Sequence, residues 1–581
     1  SRIMPVVAQW LARLNPALDR RDRVVDFTMP ALLSNAADAV SRQPYFCSGC
    51  PHNTSTRVPE GSRALAGIGC HFMASWMERH TEGLIQMGAE GVDWVAASRF
   101  TDAPHVFQNL GDGTYFHSGL LAIRQAIAAG ARMTYKVLYN DAVAMTGGQP
   151  VDGTISVRQI AQQMAAEGVK RIALVTEDLC RYDDRSALPS HVTLHDRKEM
   201  DAVQRELREV PGVSVLIYDQ VCAAEKRRRR KKGEFPEPAE RLFINEAVCE
   251  GCGDCGEQSN CTSLLPVETE FGRKRTIDQS SCNKDYSCVK GFCPSFVTVE
   301  GGQLKKPKKA STQGNTGASV MERAAALPKP AMPSMDQPFG VLVTGIGGTG
   351  VITVGQILAM AAHVEGKSCS VLDMSGLAQK GGPVMSHVRL AARDDQIHST
   401  RVGTGGADLV IGCDVIVAAS KDAVARMGQG RTHAVINATL APTAAFVRNP
   451  DWEYPDTSAA DAIRKACGEE AVAAIDAGKM ATALMGDAIA TNMFMLGYAW
   501  QRGWVPLSED ALMKAIELNG VSVSFNQQSF AWGRLAAIDS EAVRSEIKAA
   551  SPAQVIEFKR APTLDEIISK RVTFLTAYQN A

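Results

Sequence analysis

The sequence lacks an excess of either charge: 62 basic side chains stand against 63 acidic ones, a net charge of −1. That excludes a chain built to coat nucleic acid or an anionic membrane. No signal peptide is visible in its first residues. SRIMPVVAQW carries an early Arg but no apolar run followed by a small-residue cleavage site. It begins with Ser rather than Met, which suggests a piece of a longer polypeptide. No repeat of fixed period is evident. The only long uncharged run, Phe339 to Val364, is broken by six glycines. A strand, a glycine turn and a buried helix explain it better than a bilayer span. With 45% apolar and 22% charged residues, the chain has the balance of a globular protein with sizeable cores. What is abundant is cysteine. Fifteen is an odd number, and seven of them fall between Cys249 and Cys293. That crowding points to metal rather than to a disulfide scaffold, and to a reducing, cytoplasmic setting.

Along residues 1–240, strand-like runs (Val92–Ala97, Met133–Leu138, Arg171–Val175, Val213–Tyr218) alternate with helical patterns such as Ser118–Ala129 and Ser156–Glu167. The expected class is multidomain α/β, with a doubly wound parallel sheet in this first domain. Residues 241–300 change texture to Cys, Gly, Asn and Asp in short turns and read as a small domain. Residues 301–338, rich in Gly, Lys, Pro and Ser, read as a linker. From 339 to 581 the strand–helix alternation returns and ends in helices.

Cys249-x-x-Cys252-x-x-Cys255, then Cys261, Cys282, Cys288 and Cys293-Pro294, lie close to the run of a two-cluster bacterial ferredoxin. The spacing assigns Cys249, Cys252, Cys255 and Cys293 to one 4Fe-4S cluster. Cys261, Cys282 and Cys288 fall to a second. Its remaining ligand should sit at position 285, where the residue is Asp285, and a carboxylate can bind iron. A structural zinc ribbon is the alternative, but it needs only four of the seven. Cys180, Cys369, Cys413 and Cys467 stand alone and read as buried thiols.

Gly111-Asp112-Gly113 is followed, 28 residues after Asp112, by Asn140 in the run Tyr139-Asn140-Asp141-Ala142. This matches the signature for thiamine diphosphate and Mg2+. Magnesium wants hard oxygens in octahedral array. The side chains of Asp112 and Asn140 and the carbonyl of Ala142 would supply three. The glycines let backbone approach the phosphates, and a helix N-terminus follows. Thr146, in Met145-Thr146-Gly147-Gly148-Gln149, joins the cofactor set.

FCSGCPHN, GIGCH, GDG…NDAVAMTGGQ, the two-cluster insert and GIGGTGV together resemble the 2-oxoacid:ferredoxin oxidoreductases, especially the C-terminal half of the long fused indolepyruvate form. The resemblance covers nearly the whole chain. It implies a proximal 4Fe-4S cluster on Cys47, Cys50, Cys70 and Cys222, and so three 4Fe-4S clusters and about twelve irons. It implies oxidative decarboxylation of an arylpyruvate, with coenzyme A as acyl acceptor and ferredoxin as electron acceptor. The glutamate that activates the pyrimidine of the cofactor belongs, in this family, to a module absent from this sequence. The partners implied are therefore the N-terminal pyrimidine-binding half and a second copy of the full enzyme. The alternative is an electron-relay and assembly subunit for another catalytic partner.

Gly345-Ile-Gly347-Gly348-Thr-Gly350 follows a strand and opens a helix, with Asp373 ending the next strand. Alone this is a dinucleotide fingerprint. The resemblance assigns it instead to a gamma module linked to coenzyme A and to packing. A purely structural turn is the third reading. The loop Gln379-Lys380-Gly381-Gly382 has the character of an anion contact or a surface turn. Lys226 to Lys232 carries seven consecutive positive charges. It reads as a solvated linker or a phosphate- or carboxylate-paired surface, or as a patch steering an acidic ferredoxin.

Overall fold

The computed structural model describes residue 13 and residues 42–302, 319–374, 381–550 and 563–579, except 152, 154, 440, 442, 450 and 453–457. Gln379 and Lys380 lie outside the described residues, as does most of the lysine-rich segment expected to be a linker.

The first sheet has seven parallel strands: β1 (Ala64–Leu65), β2 (Thr81–Glu82), β3 (Val106–Gly111), β4 (Met133–Tyr139), β5 (Ile172–Thr176), β6 (Val192–Asp196) and β7 (Val213–Asp219). Their order is β2-β1-β3-β4-β7-β5-β6. The central strands read as near-continuous apolar runs because helices cover both faces. Val157–Ala166 is one such helix. Ser156 caps it, accepting from the Gln159 N–H while Gln159 Oε1 accepts from the Ser156 N–H, and Val157, Ile160, Ala161 and Met164 face inward. Val92–Ala97 is a helix rather than the strand expected. Only Trp94 and Val95 of it are buried, a stripe that one helical turn presents and a two-residue alternation does not.

The small module holds two antiparallel pairs, β8 (Glu240–Ile244) with β11 (Phe296–Glu300) and the hairpin β9 (Leu264–Thr269) with β10 (Gly272–Ile277). The last sheet contains β12 (Phe339–Ile346), β13 (Ser368–Asp373), β14 (Pro383–Ala391), β15 (Leu409–Gly412), β16 (His433–Asn437) and β17 (Val472–Ile475). The order β13-β14-β12-β15-β16-β17 is mixed, with β14 antiparallel to both neighbours. Residues 319–338 are not a free linker. Ser319 and Glu322 form a capping box on helix Val320–Ala325, and Arg323 pairs with Glu546 and lies over Trp532.

The modules are fastened together. Arg42 forms a bidentate ion pair with Asp414, at 3.0 and 2.7 Å, with both side chains almost wholly buried. Among the described residues no helix is long and apolar enough to cross a membrane.

Candidate cofactor site

β3 and β4 are parallel neighbours with Gly111 opposite Leu138. Asp112 and Asn140 therefore emerge side by side at the C-terminal edge of the sheet, where open α/β sheets bind ligands. Asp112 is buried, and its carboxylate gathers the loop around it. Oδ1 accepts from the Gly113 N–H at 2.9 Å, and Oδ2 from the Asn140 and Asp141 N–H groups at 2.9 and 3.0 Å. Burial nonetheless pushes this carboxyl up to about 6, outweighing the lowering by its three N–H donors. Asn140 Oδ1 accepts from the Ala142 N–H at 3.3 Å. Asp141 takes the left-handed φ of 59° that this reversal needs. Thr146 is exposed, its hydroxyl donating to Gln149 Oε1 at 2.8 Å, in a loop closed by the Val143–Gln149 bridge.

His71 is a residue that sequence reasoning passed over inside GIGCH. It is 1% exposed, and neither ring nitrogen has a hydrogen-bond partner. Its Nε2 lies 3.4 Å from where a Cβ on Gly111 would stand. A buried, unpartnered imidazole beside a GDG turn suits an anionic group that supplies the missing acceptor. The clue in the sequence was polar chemistry among small residues, next to a cysteine.

The structure brings Cys47, Cys50, Cys70 and Cys222 around one cavity, and Asn140 lines it too. Cys47 and Cys50 face each other across a turn closed by Cys50 N–H to Cys47 O at 3.0 Å, with Gly49 left-handed at φ 65°. Cys70 opens a 3-10 helix, Cys70–Trp76, and Cys222 caps helix Ala223–Lys231. Burial and the three neighbouring thiols together push the Cys50 thiol well up. As thiolates, four cysteines in so apolar a pocket could hold a cationic group between them.

In the small module the remaining seven form two groups. Cys255 feels Cys249, Cys252 and Cys293 as neighbours, and burial pushes its thiol up to about 11. Cys288 is raised by burial, by Cys261 and Cys282, and less by Cys255 of the first group. Among the described residues no three His, Cys, Asp or Glu side chains converge tightly enough for a single ion.

Two expectations are corrected. Asp285 does not face the second cysteine group: Oδ1 accepts from Arg197 Nη1 at 2.5 Å and from Gln220 Nε2 at 3.2 Å, and Ser287 Oγ donates to Oδ2. The basic run is not a solvated linker but the paired surface of the other reading: six of its seven residues have carboxylate or carbonyl partners. Lys226 pairs with Glu177, Arg228 with Glu225, and Arg229 with Asp141 at 2.9 Å. Arg227 donates to the Ser280 carbonyl, Arg230 to that of Asn283, and Lys231 pairs with Asp487. The helix buckles together the Asp141 loop, the cysteine-rich module and the C-terminal module. Of the four lone cysteines, Cys413 and Cys467 are buried, Cys369 is half-buried and Cys180 is exposed. Cys180 sits in the short turn Leu179–Tyr182, which buries only Tyr182.

The glycine loop of β12 is a packed turn. Gly350 (φ 90°) caps helix Val351–Val364, Gly347 N–H donates to Gly382 O, and Asn492 Nδ2 donates to Thr349 O at 2.8 Å. Asp373 does end β13, but β13 is the sheet edge and lies two strands from β12. The dinucleotide fingerprint needs its acidic residue on a strand beside the glycine turn, so that reading loses its geometry.

Two α/β modules bracket a cysteine-rich one, and known proteins share parts of this arrangement of sequence. The family pattern "Pyruvate ferredoxin/flavodoxin oxidoreductase" matches residues 340–554. "Indolepyruvate oxidoreductase subunit IorA" of Archaeoglobus fulgidus is 31% identical over 276 residues, which cover 45% of this chain and 40% of that protein. "Indolepyruvate oxidoreductase subunit IorB" of Methanothermobacter thermautotrophicus is 26% identical over 204 residues, 35% of this chain and 99% of that one. "Ketoisovalerate oxidoreductase subunit VorA" of Methanothermobacter marburgensis is 24% identical, over 81% of this chain and 87% of its own length. Among solved structures, the 2-oxoglutarate:ferredoxin oxidoreductase from Magnetococcus marinus aligns with a TM-score of 0.26 at 18% identity, over 39% of this chain and 33% of that one. Residues 340–554 thus carry the domain of the pyruvate ferredoxin/flavodoxin oxidoreductase family, and the chain as a whole is similar to 2-oxoacid oxidoreductase subunits. It spans about 40% of the IorA relatives it matches.

Proposed function

We propose that this chain supplies the diphosphate-binding half and the electron path of an enzyme that oxidatively decarboxylates an arylpyruvate, indolepyruvate foremost. The product would be the aryl-acetyl-CoA and the acceptor ferredoxin. The observation that carries the reading is the shared wall between the two sites: Asn140 belongs to the Asp112 loop and also lines the four-cysteine cavity. Asp112, Asn140 and the Ala142 carbonyl would hold Mg2+. Gly111, Gly113 and Thr146 would border the diphosphate, with His71 donating to it. Cys47, Cys50, Cys70 and Cys222 would hold the proximal 4Fe-4S cluster. Thiamine diphosphate, when bound, supplies the electron sink for loss of carbon dioxide.

The residues also suggest an order for the relay. Asn283 Nδ2 donates to the Ser48 carbonyl at 2.8 Å, and Ser48 Oγ contacts Ser263 Oγ at 2.5 Å. The loops carrying Cys261 and Cys282 thus rest directly on the Cys47–Cys50 turn. That group is next in line, and the Cys249–Cys293 group, with its exposed Cys252, is the exit toward ferredoxin. The pyrimidine-activating glutamate belongs to the N-terminal half of the enzyme, and the working form is a homodimer in a reducing cytoplasm. The C-terminal module contributes packing and a coenzyme A contact.

A panel of 2-oxoacids offered to the full-length enzyme with coenzyme A and a viologen acceptor tests this. Indolepyruvate should give the highest kcat/KM; preference for a branched-chain oxoacid would move the assignment toward the ketoisovalerate relatives. Calorimetry with thiamine diphosphate and Mg2+ separates the catalytic reading from a plain electron relay, which would not bind them.

A further inference from the structure

Position 285 falls midway between Cys282 and Cys288, where the ferredoxin spacing places a cluster ligand. Every acceptor of Asp285 is engaged elsewhere. Besides the contacts to its carboxylate, its backbone carbonyl accepts from Arg197 Nη2 at 2.8 Å. The Arg197–Asp285 pair is largely withdrawn from water, at 17% and 12% side-chain exposure. Lys284 and Tyr286 on either side are left-handed, with φ of 57° and 61°. That backbone turns residue 285 out of the loop and onto the proximal cysteine turn: a Cβ on Gly49 would stand 2.7 Å from the Cβ of Asp285. Cys261, Cys282 and Cys288 pack, with Tyr286, against the core of the small module that Cys249 and Cys255 help to form. Cys249, Cys252, Cys255 and Cys293 make up the other group.

From this geometry we infer that the second cysteine group would hold its cluster through three thiolates alone, as a three-iron, four-sulfide cluster without the iron that a ligand at position 285 would bind. Asp285 is a positioning residue. Its pairing with Arg197 fastens the cluster-bearing loop to the Cys47–Cys50 turn. A carboxylate ligand would have to leave Arg197 unpaired in a mostly buried place, which low-dielectric surroundings oppose. The inference rests on the iron–sulfur reading proposed above.

The test uses the full-length chain purified without oxygen. Iron and acid-labile sulfide are assayed, and electron paramagnetic resonance spectra are recorded before any reductant is added. An oxidised three-iron cluster has an odd electron count and is paramagnetic, whereas oxidised four-iron clusters of this type are silent. The expected result is about eleven irons with about twelve sulfides per chain. The oxidised signal should be present, and it should be unchanged in Asp285→Asn and after incubation with ferrous iron. About twelve irons with a silent oxidised state overturn the inference. So does a signal that appears only in Asp285→Asn, because that variant would then have lost a real ligand. A chain that takes up zinc or no metal overturns the iron–sulfur reading itself.

Discussion

The backbone N–H of Cys222 donates to the carbonyl of Asn140 at 3.0 Å. One residue of the expected magnesium set and one of the expected proximal cluster set are therefore joined through main chain, not through side chains. Side-chain changes at either end should separate the two functions. In Asn140→Ala, thiamine diphosphate affinity should fall at least tenfold, with iron content unchanged. In Cys222→Ala, about four irons should be lost, while the affinity moves less than tenfold. Calorimetry alongside iron analysis reads both, and equal losses of both cofactors in both variants would contradict the separation.

Arg42 and Asp414 bridge the first and last modules, and Asp414 also accepts from the Val417 N–H to cap the short helix Val415–Ala418. Removing one partner strands a buried charge and frays that cap. Arg42→Ala should cost roughly 3–5 kcal/mol. The loss should appear in differential scanning calorimetry as earlier melting of the C-terminal module, and an unshifted trace would show the pair to be dispensable.

Gly497 and Gly533 sit where helices Thr491–Gln501 and Val523–Ile538 touch backbone to backbone. A Cβ at Gly497 would lie 2.0 Å from the Phe530 carbonyl oxygen, and one at Gly533 would lie 1.9 Å from that of Phe494. Glycine to alanine within a helix normally gains about 1 kcal/mol. Here the sign reverses, because the helices must move apart: either alanine variant should lose roughly 2 kcal/mol or more. Thermal unfolding of both variants checks the reversal.

Lys136, in the middle of β4, is fully buried. Its Nζ donates to Gln204 Oε1 at 3.0 Å and to the Arg57 carbonyl at 3.2 Å, with no carboxylate among these partners. Burial, aided by the nearby Arg79 charge, pulls its ammonium down to about 7 from 10.5. The folded state then binds fewer protons than the unfolded chain between those two values. The stability it confers is complete above the unfolded value and is lost as pH falls through about 7. Over that window the wild type should gain on Lys136→Met by up to about 1.4 kcal/mol per pH unit. Hydrogen exchange of the β4 amides in the two proteins, compared at matched pH, measures it.

The basic helix offers a plainer expectation. With Arg229 paired to Asp141 and Lys231 to Asp487, neutralising both should leave the salt dependence of ferredoxin reduction unaltered. A steering patch would instead lose rate at low salt, which stopped-flow reduction kinetics would show.

The sequence by itself determined what local spacing and pattern can carry. Strands β4, β5 and β7 were legible as apolar runs, and helix Val157–Ala166 from its cap and period. The Cys249–Cys293 run was legible from its spacing and Asp112 with Asn140 from the GDG signature, whereas the set Cys47, Cys50, Cys70 and Cys222, spread along the chain, came only from the resemblance. Val92–Ala97 was misread because six apolar and small residues suit either period, and only the packing of Trp94 and Val95 chooses between them. Tertiary structure alone decided the rest. Arg197 is 88 residues from Asp285, yet it withdraws that carboxylate from the cysteines. Partners as distant as Ser280 and Asp487 turn a run of charge into a buckle. His71 became visible only once both its ring nitrogens were found buried without partners. A residue type and its spacing state which chemistry is possible. Which partner occupies a charged group is settled by long-range contact, because burying a charge without compensation is costly and the chain folds to satisfy it.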